Sequence, residues 1–264
     1  MYTDCRLVRG TEAATSRNRA SALACLPGTV LVLALGLSGC TSSEAEPSST
    51  PSVTAPAPTP TLSAAPAVPS TSTVASVTGR SVEVHDAPDG AVTTTLDNPQ
   101  ASGAPLVLLV LGQEGDWVNV SVAQRPNGSS GWVPASAVTL TTTSYALVAS
   151  TTSNTLVLYD AGVEKKSFPV ATGTGGTPTP TGSFYLTELL APTNQGYGPF
   201  AYGLSAFSDA LNSFGGGPGQ IGLHGTDDEA SIGQAASHGC IRLSNDDISE
   251  LAAMLPLGTP ITIT

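Results

Sequence analysis

A histidine and a cysteine near the C-terminus have the residue types and spacing for nucleophilic catalysis. His224 and Cys240 are sixteen positions apart, and Cys240 is the only cysteine in the last 200 residues. A free thiol is only slightly ionised at neutral pH, so it needs a neighbouring base or a positive field to react. His224 and His238 are the nearby side chains whose unperturbed pKa suits a base. Gly239 precedes the cysteine and would let a substrate carbonyl approach closely.

The residues around this pair form a specific string. His224-Gly-Thr is followed by Ser231-Ile-Gly and then by Ser237-His-Gly-Cys-Ile-Arg242, while Thr177-Pro-Thr-Pro-Thr-Gly-Ser-Phe184 lies upstream. Together these segments fix about ten positions in order. They resemble the signature of the YkuD-type L,D-transpeptidase catalytic domain, and the resemblance covers residues 144–264.

The resemblance implies a cysteine-dependent acyltransferase that needs no cofactor. His224 would take the proton of Cys240, and the thiolate would attack the third residue of a peptidoglycan stem tetrapeptide. This step releases the terminal D-alanine and leaves a thioester acyl-enzyme. An amine on a neighbouring stem would then resolve the thioester as a 3→3 cross-link. Backbone N–H groups of Gly239 and Cys240 are expected to hold the oxyanion.

Three further residues of the string are expected to bind or orient the substrate. Ser237 is predicted to be a positioning hydroxyl. His238 either orients the thiolate or a substrate carbonyl, or fixes its loop by a hydrogen bond. Arg242 either binds a carboxylate or forms a structural salt bridge.

The same residues could in principle serve other functions. A metal site from His224, His238 and Cys240, with or without Asp227, is disfavoured because His-x-Cys is an unusual ligand pattern and the sequence has no second zinc motif. NlpC-type peptidases place the cysteine before the histidine, and sortases usually place the arginine well beyond the cysteine. An L,D-carboxypeptidase, a protein-to-wall anchoring enzyme of the same fold, and a non-catalytic wall-binding lipoprotein remain open alternatives.

Short strands and one helix must position these groups. Strand patterns occur at residues 145–149, 155–159, 168–171, 183–187 and 220–224. The last of these strands ends at His224. Ser244 is predicted to cap a helix, with Asp247 three residues on. The glycine- and proline-rich stretch 191–219 is predicted to be a long loop with one short strand, of a length typical of lids or binding loops. We expect a β-sandwich-like domain with one short C-terminal helix.

Upstream of this domain, residues 77–141 show alternating strands separated by turns. Gly115-Asp-Trp-Val and Gly131-Trp-Val resemble a bacterial SH3-like domain, which implies a small β-barrel. Its two tryptophans, Trp117 and Trp132, are the only ones in the chain, and we expect at least one of them in the barrel core.

The N-terminal 76 residues lack the pattern of a folded domain. Residues 1–40 combine a basic start with an apolar run that ends in Leu37-Ser-Gly-Cys40. This ending resembles the lipobox of bacterial lipoproteins, so Cys40 is the expected lipidation site. Residues 41–76 are rich in Pro, Ser, Thr and Ala and are predicted to be a disordered tether.

Composition limits the choice of partners. The formal net charge is −11 and basic clusters are missing from the sequence, which disfavours nucleic-acid binding. The expected protein is mainly β and extracytoplasmic, anchored to the bacterial membrane through Cys40. It would reach into the cell wall to act on peptidoglycan stem peptides. The sequence does not fix an oligomeric state.

Overall fold

The computed structural model describes residues 68–214 and 217–264. The predicted signal peptide, Cys40 and the tether as far as residue 67 lie outside the described residues. In the described ranges the chain is mainly β, with a single α-helix near the C-terminus. No helix in these ranges is long and apolar enough to cross a membrane.

The first seven strands form one barrel-like sheet, which we call the N-terminal β-unit, residues 72–143. They are β1 Ser72–Val77, β2 Ser81–His85, β3 Val92–Asp97, β4 Val107–Glu114, β5 Trp117–Ser121, β6 Ser130–Pro134 and β7 Val138–Thr143. Their order in the sheet is β3-β2-β6-β5-β4-β1-β7. Alternate residues of the strands, among them Val82, Val84, Val118 and Val120, face a buried apolar cluster, as the period of two predicts.

The remaining strands form a second unit. They are β8 Tyr145–Ser150, β9 Thr155–Asp160, β10 Val163–Pro169, β11 Thr172–Gly173, β12 Gly182–Leu190, β13 Ala201–Phe207, β14 Gln220–Gly225, β15 Ala235–Ser237, β16 Ile241–Leu243 and β17 Pro260–Ile263. Eight of them form a mixed sheet in the order β10-β9-β8-β17-β12-β13-β14-β16, and β11 pairs with β15 separately. The mainly β fold agrees with the sequence prediction.

Helix α1, Asn245–Met254, covers this sheet beside β14. Ser244 caps it: the backbone N–H of Asp247 donates to Ser244 Oγ at 3.1 Å, and Ser244 Oγ donates to Asp247 Oδ2 at 2.6 Å. Ile248 and Leu251 are fully buried in the apolar cluster below the sheet. The predicted cap and the predicted apolar face of the helix are therefore confirmed.

Two sequence expectations about these elements are wrong, and one is confirmed. Residues 72–76 do not belong to the tether but to β1, because Val74 and Ala75 are buried between β4 and β7. The strand expected within the stretch 191–219 is β13, which is seven residues long, mostly buried, and separates two shorter loops. Both Trp117 and Trp132 are only half-buried, since valines fill the centre of the N-terminal β-unit.

The two units share buried contacts. Tyr185 on β12 is fully buried in the apolar cluster of the N-terminal β-unit. Gln100 Nε2 donates to the carbonyl oxygen of Thr187 at 3.0 Å, also on β12. These contacts attach the N-terminal β-unit to β12, an interior strand of the second sheet that pairs with β13.

Candidate active site

Two parallel strands bring the predicted nucleophile and base together. β14 carries His224, and its parallel neighbour β16 begins immediately after Cys240. The register pairs Leu223 with Ile241, which places Cys240 beside Gly222. The backbone N–H of Gly222 donates to Cys240 Sγ at 3.3 Å. A hydrogen bond of this kind favours the thiolate over the thiol.

The orientation of His224 leaves one ring nitrogen free for proton transfer. Nδ1 lies 2.6 Å from the carbonyl oxygen of Gly225. A carbonyl can only accept, so Nδ1 carries the proton and Nε2 is the basic nitrogen. A methyl group built on Gly222 would lie 3.4 Å from His224 Cδ2 and 3.7 Å from Cys240 Sγ. His224 Cδ2 and Cys240 Sγ therefore both border the space above Gly222.

Burial sets the resting protonation state of this pair. It lowers the pKa of His224 to about 4, against a smaller opposing effect of the Gly225 hydrogen bond. Burial also raises the pKa of the Cys240 thiol, opposed by the Gly222 hydrogen bond and the Arg242 charge. At neutral pH the pair is consequently a thiol next to an unprotonated imidazole, which is the state that general-base catalysis requires.

A tight turn presents the thiol. Ser237 Oγ donates to the carbonyl oxygen of Cys240 at 2.5 Å and accepts from the backbone N–H of Gly239 at 3.1 Å. Thr179, from the upstream Pro-Thr-Pro segment, donates through Oγ1 to the Gly239 carbonyl at 2.8 Å. Gly239 has a φ of +119°, a conformation that L side chains rarely adopt. Ser237 therefore fixes the turn by bonding to its backbone, and its predicted role towards the substrate stays a prediction.

The same turn corrects the predicted role of Gly239. Its N–H is already used by Ser237 Oγ, so in this conformation it is not free to stabilise an oxyanion. Gly239 contributes the positive φ that the turn needs.

His238 lies on the exposed side of the turn. Its ring stacks on that of Phe214, with 5.2 Å between the ring centroids and an angle of 27° between the planes. One of the two roles expected for His238 was to fix its loop by a hydrogen bond. In the described ranges the His238 ring makes this aromatic contact and no such hydrogen bond. An orienting role of His238 towards the substrate stays a prediction.

Arg242 is half-buried beside the thiol. The salt bridges of the described residues do not include it, so the structural salt bridge left open by the sequence is not formed there. Its Nε is buried and, within the same residues, lacks a hydrogen-bond partner. An uncompensated cation of this kind suits an anionic ligand.

Cys240 borders two adjoining cavities. One, of about 250 Å³, is also lined by Arg242 and His238. The other, of about 150 Å³, lies towards Glu188 and Gly222. His224, Tyr197 and Phe214 line both cavities. Cys240 therefore lines two cavities, one of which also has a cation in its lining and the other an acidic side chain.

Three residues of the site were missed from the sequence. Tyr197 packs on His224, with 4.5 Å between the ring centroids, and helps to exclude water from it. Phe214 forms the wall against His238, and Gly222 bonds the thiol. The sequence did contain an indication for both aromatic residues, because Tyr197 and Phe214 lie in the stretch 191–219, whose length is typical of lids or binding loops. Gly222 had no signal beyond its position two residues before His224.

The residues described here do not group three His, Cys, Asp or Glu side chains as a metal site would require. The site is built instead from a thiol, an imidazole, a guanidinium and aromatic walls.

Comparisons with known proteins match the part of the chain that carries this candidate site. The model of the L,D-transpeptidase catalytic domain, YkuD, matches residues 144–263. The YkuD protein of Bacillus subtilis (strain 168), assigned to the L,D-transpeptidases, is 41% identical over 120 residues, 45% of this chain and 65% of the relative. The chain therefore spans just under two thirds of the length of YkuD.

A second relative and a solved structure extend the comparison. The YqjB protein of B. subtilis, assigned to the same family, is 33% identical over 125 residues, which are 46% of this chain and 70% of YqjB. A crystal structure of L,D-transpeptidase 3 from Mycobacterium tuberculosis with a faropenem-derived adduct has a TM-score of 0.41. It is 17% identical and covers 59% of this chain and 96% of its own. Through the domain that carries His224 and Cys240, this chain belongs to the YkuD-type L,D-transpeptidase family.

Proposed function

We propose that the protein is a cysteine-dependent peptidoglycan L,D-transpeptidase that forms 3→3 cross-links. The observation that carries the proposal is that Cys240 Sγ and His224 Cδ2 both border the space above Gly222. The Nδ1 proton of His224 is committed to Gly225, so Nε2 is left to accept the thiol proton.

The chemistry proceeds in two acyl transfers. In the first, the thiol proton moves to His224 Nε2, and sulfur bonds to the carbonyl carbon of the third stem residue. The bond from that carbon to the nitrogen of the terminal D-alanine breaks, and the leaving amine takes the proton from the imidazolium. In the second, an acceptor amine attacks the thioester carbonyl, the carbon–sulfur bond breaks, and the amine's proton returns to the thiol through His224.

The two cavities favour an amine acceptor over water. Transfer between two stems needs room for a peptide on each side of the nucleophile, whereas hydrolysis needs only one peptide site. Cys240 lines both cavities, and they carry different charges, with Arg242 on one side and Glu188 on the other. We assign the donor's carboxylate to Arg242, whose Nε lacks a partner in the described residues.

The remaining chain fits an enzyme that works outside the membrane. We propose that residues 1–40 are a lipoprotein signal, that Cys40 is lipidated, and that the chain up to β1 spans from the membrane towards the wall. We also propose that the N-terminal β-unit is an SH3-like domain. Support for these points comes from the lipobox-like ending Leu37-Ser-Gly-Cys40 and from the barrel-like sheet of β1–β7.

The function is tested by incubating the purified protein with a disaccharide-tetrapeptide muropeptide and identifying the products by mass spectrometry. A cross-linked dimer that has lost one D-alanine, absent with Cys240→Ser, is the expected result. A tripeptide product without dimer would replace the proposal with an L,D-carboxypeptidase. A substrate that stays intact with wild-type protein would overturn an enzymatic role on stem peptides.

A carbapenem provides an independent probe of the nucleophile. Intact-mass spectrometry of the treated protein is expected to show one covalent adduct, located at Cys240 by peptide mapping. An adduct that persists in Cys240→Ser would show that the reactive group lies elsewhere.

A further inference from the structure

The active-site wall formed by Phe214 is held by a side chain from the N-terminal β-unit. We propose that Arg125 is a positioning residue: it fixes the backbone that carries Phe214 and thereby the Phe214–His238 side of the cavity. The proposal rests on the proposed function for its kinetic readout only. Its structural readout concerns His238 and holds whatever the reaction is.

The guanidinium of Arg125 bonds to three backbone carbonyls of the second unit. Nη1 donates to Ser208 at 2.7 Å, and Nη2 donates to Leu211 at 2.9 Å and to Pro218 at 3.1 Å. These carbonyls belong to two short arms of chain that follow β13, residues 208–214 and 217–219. Since Nη2 bonds to one carbonyl on each arm, the guanidinium ties the arms to each other as well as to the N-terminal β-unit.

Asn127, two residues on, fixes the start of the first arm. Its Nδ2 donates to the carbonyl of Phe207 at 2.8 Å, and its Oδ1 accepts from the N–H of Phe207 at 2.8 Å. The side chain therefore pairs with the Phe207 backbone as a neighbouring strand would. The guanidinium of Arg125 also lies over the Phe207 ring, 5.2 Å from its centroid.

The first arm has a local turn, in which Ser208 Oγ accepts from the N–H groups of Ala210 and Leu211. In the described residues, hydrogen bonds from one arm to the other occur only at the base and at the tip. At the base, the N–H of Ser208 donates to the carbonyl of Gly219 at 2.8 Å. At the tip, Phe214 and Gly217 exchange two backbone hydrogen bonds at 3.1 and 3.0 Å. Arg125 bridges the arms between these two points. A Cβ on Gly219 would collide with the Leu211 carbonyl, which shows how closely the arms approach.

Phe214 depends on the arms for its position. It is 44% exposed, so the core does not hold it as it holds a buried side chain. It stacks on His238 and lines both cavities next to Cys240. Arg125 does not line either cavity, so its effect on the reaction passes through Phe214.

Arg125 could matter only because it holds the two units together, or because it positions Phe214. These two roles can be separated experimentally, because a second polar contact joins the same two units. Gln100 donates to Thr187 on β12, away from both arms. Gln100→Ala therefore weakens the attachment of the N-terminal β-unit without releasing Phe214. Arg80→Ala removes an equal charge from the same unit, and the structure gives the Arg80 side chain no contact with the arms.

The first test is spectroscopic and uses the three histidines of the chain. In the full-length protein, the Cε1–H resonance of His238 reports the ring current of Phe214, and His85 serves as an internal reference. Arg125→Ala is expected to shift the His238 resonance towards its position in Phe214→Leu and to leave His85 unchanged. Gln100→Ala and Arg80→Ala are expected to leave both unchanged.

The second test is kinetic. Arg125→Ala is expected to raise KM for the tetrapeptide about tenfold with a smaller change in kcat, because a wall of the binding site is displaced while Cys240 and His224 keep their strands. Arg125→Lys has a single ammonium that cannot bond all three carbonyls, so it should resemble Arg125→Ala, and it replaces that variant if Arg125→Ala does not fold.

Different outcomes of the two tests would contradict the role of Arg125 and the proposed function. A His238 resonance that does not move in Arg125→Ala or Arg125→Lys, or that moves equally in Gln100→Ala, would overturn the positioning role. So would an unchanged KM in an active enzyme. If the wild-type protein does not turn over the tetrapeptide, the proposed function fails, and the His238 resonance still decides the role of Arg125.

Discussion

The backbone N–H of Gly222 donates to Cys240 Sγ at 3.3 Å, two residues before His224 on the same strand. One short stretch of β14 therefore carries both the proposed base and a hydrogen bond that favours the thiolate. Burial still raises the pKa of Cys240, so a protonated thiol at rest would need a base such as His224 for activation. Most of the following predictions concern this relationship.

Loss of the base should slow acylation most near neutral pH. His224→Ala is expected to reduce the rate of acylation by a carbapenem about 10²–10⁴-fold at pH 7. The loss should shrink as pH rises through the thiol pKa, because hydroxide then supplies the thiolate. His238→Ala should cost less and show weaker rescue. A normal rate for folded His224→Ala near pH 7 would falsify the assigned role and move the base to His238.

The acylation rate should begin to fall only at an unusually acidic pH. His224 has a pKa of about 4, so it stays unprotonated as the pH falls to 5 and loses its basic nitrogen only below about pH 4. Protonation of His224 should therefore change the acylation rate constant little between pH 7 and pH 5. Stopped-flow or quenched mass measurements between pH 3.5 and 8 test this. A half-maximal rate near pH 6.5 would show that His224 titrates as an ordinary histidine.

The same depressed pKa should make stability depend on pH. Between pH 6.5 and 4 the unfolded chain binds a proton at His224 that the native protein does not, so the free energy of unfolding falls as the pH falls through this window. The loss amounts to about 3 kcal/mol, from the difference between 6.5 and about 4. His224→Gln should remove this contribution in urea denaturation at pH 4 and 7. The matched control, exposed His238→Gln, should keep it, and a His224→Gln protein with wild-type pH dependence would contradict the assignment.

Filling the space above Gly222 should impair catalysis more than folding. The Cβ of Gly222→Ala would meet His224 Cδ2, Cys240 Sγ and the Tyr202 carbonyl at 3.4–3.7 Å, which are ordinary contact distances. We therefore expect a melting temperature close to that of the wild type and an acylation rate about tenfold lower, since the methyl group lies between base and thiol. Gly112→Ala, where a Cβ meets nothing within 4 Å, is the control. Equal rates for the two variants would show that the space is not used.

The membrane anchor is a prediction about residues outside the described part of the chain. If Cys40 is lipidated, the protein should partition into detergent or membrane fractions, and Cys40→Ala should shift it to the soluble extracytoplasmic fraction with a changed gel mobility. Cys25→Ala, within the apolar run, is the matched control. Unchanged partition and mobility of Cys40→Ala would rule out the lipoprotein proposal.

The sequence by itself indicated the candidate pair His224 and Cys240, the capped helix and the mainly β character. These features depend on residues close together in the chain: the string around Cys240, the Ser244–Asp247 cap, and the alternation along individual strands. Short-range spacing and periodicity determine local structure, so they can be read without knowing the fold.

Only the tertiary structure decided which distant residues surround the thiol. Phe214 reaches His238 because its two arms are tied by Arg125, 83 residues before Ser208, and Thr179 supports Gly239 across 60 residues. Residues 72–76 look like tether until β4 and β7 bury Val74 and Ala75. The depressed pKa of His224 likewise arises from burial under Tyr197 and the sheet. Burial and contacts of this kind are properties of the packed chain, and local residue patterns do not contain them.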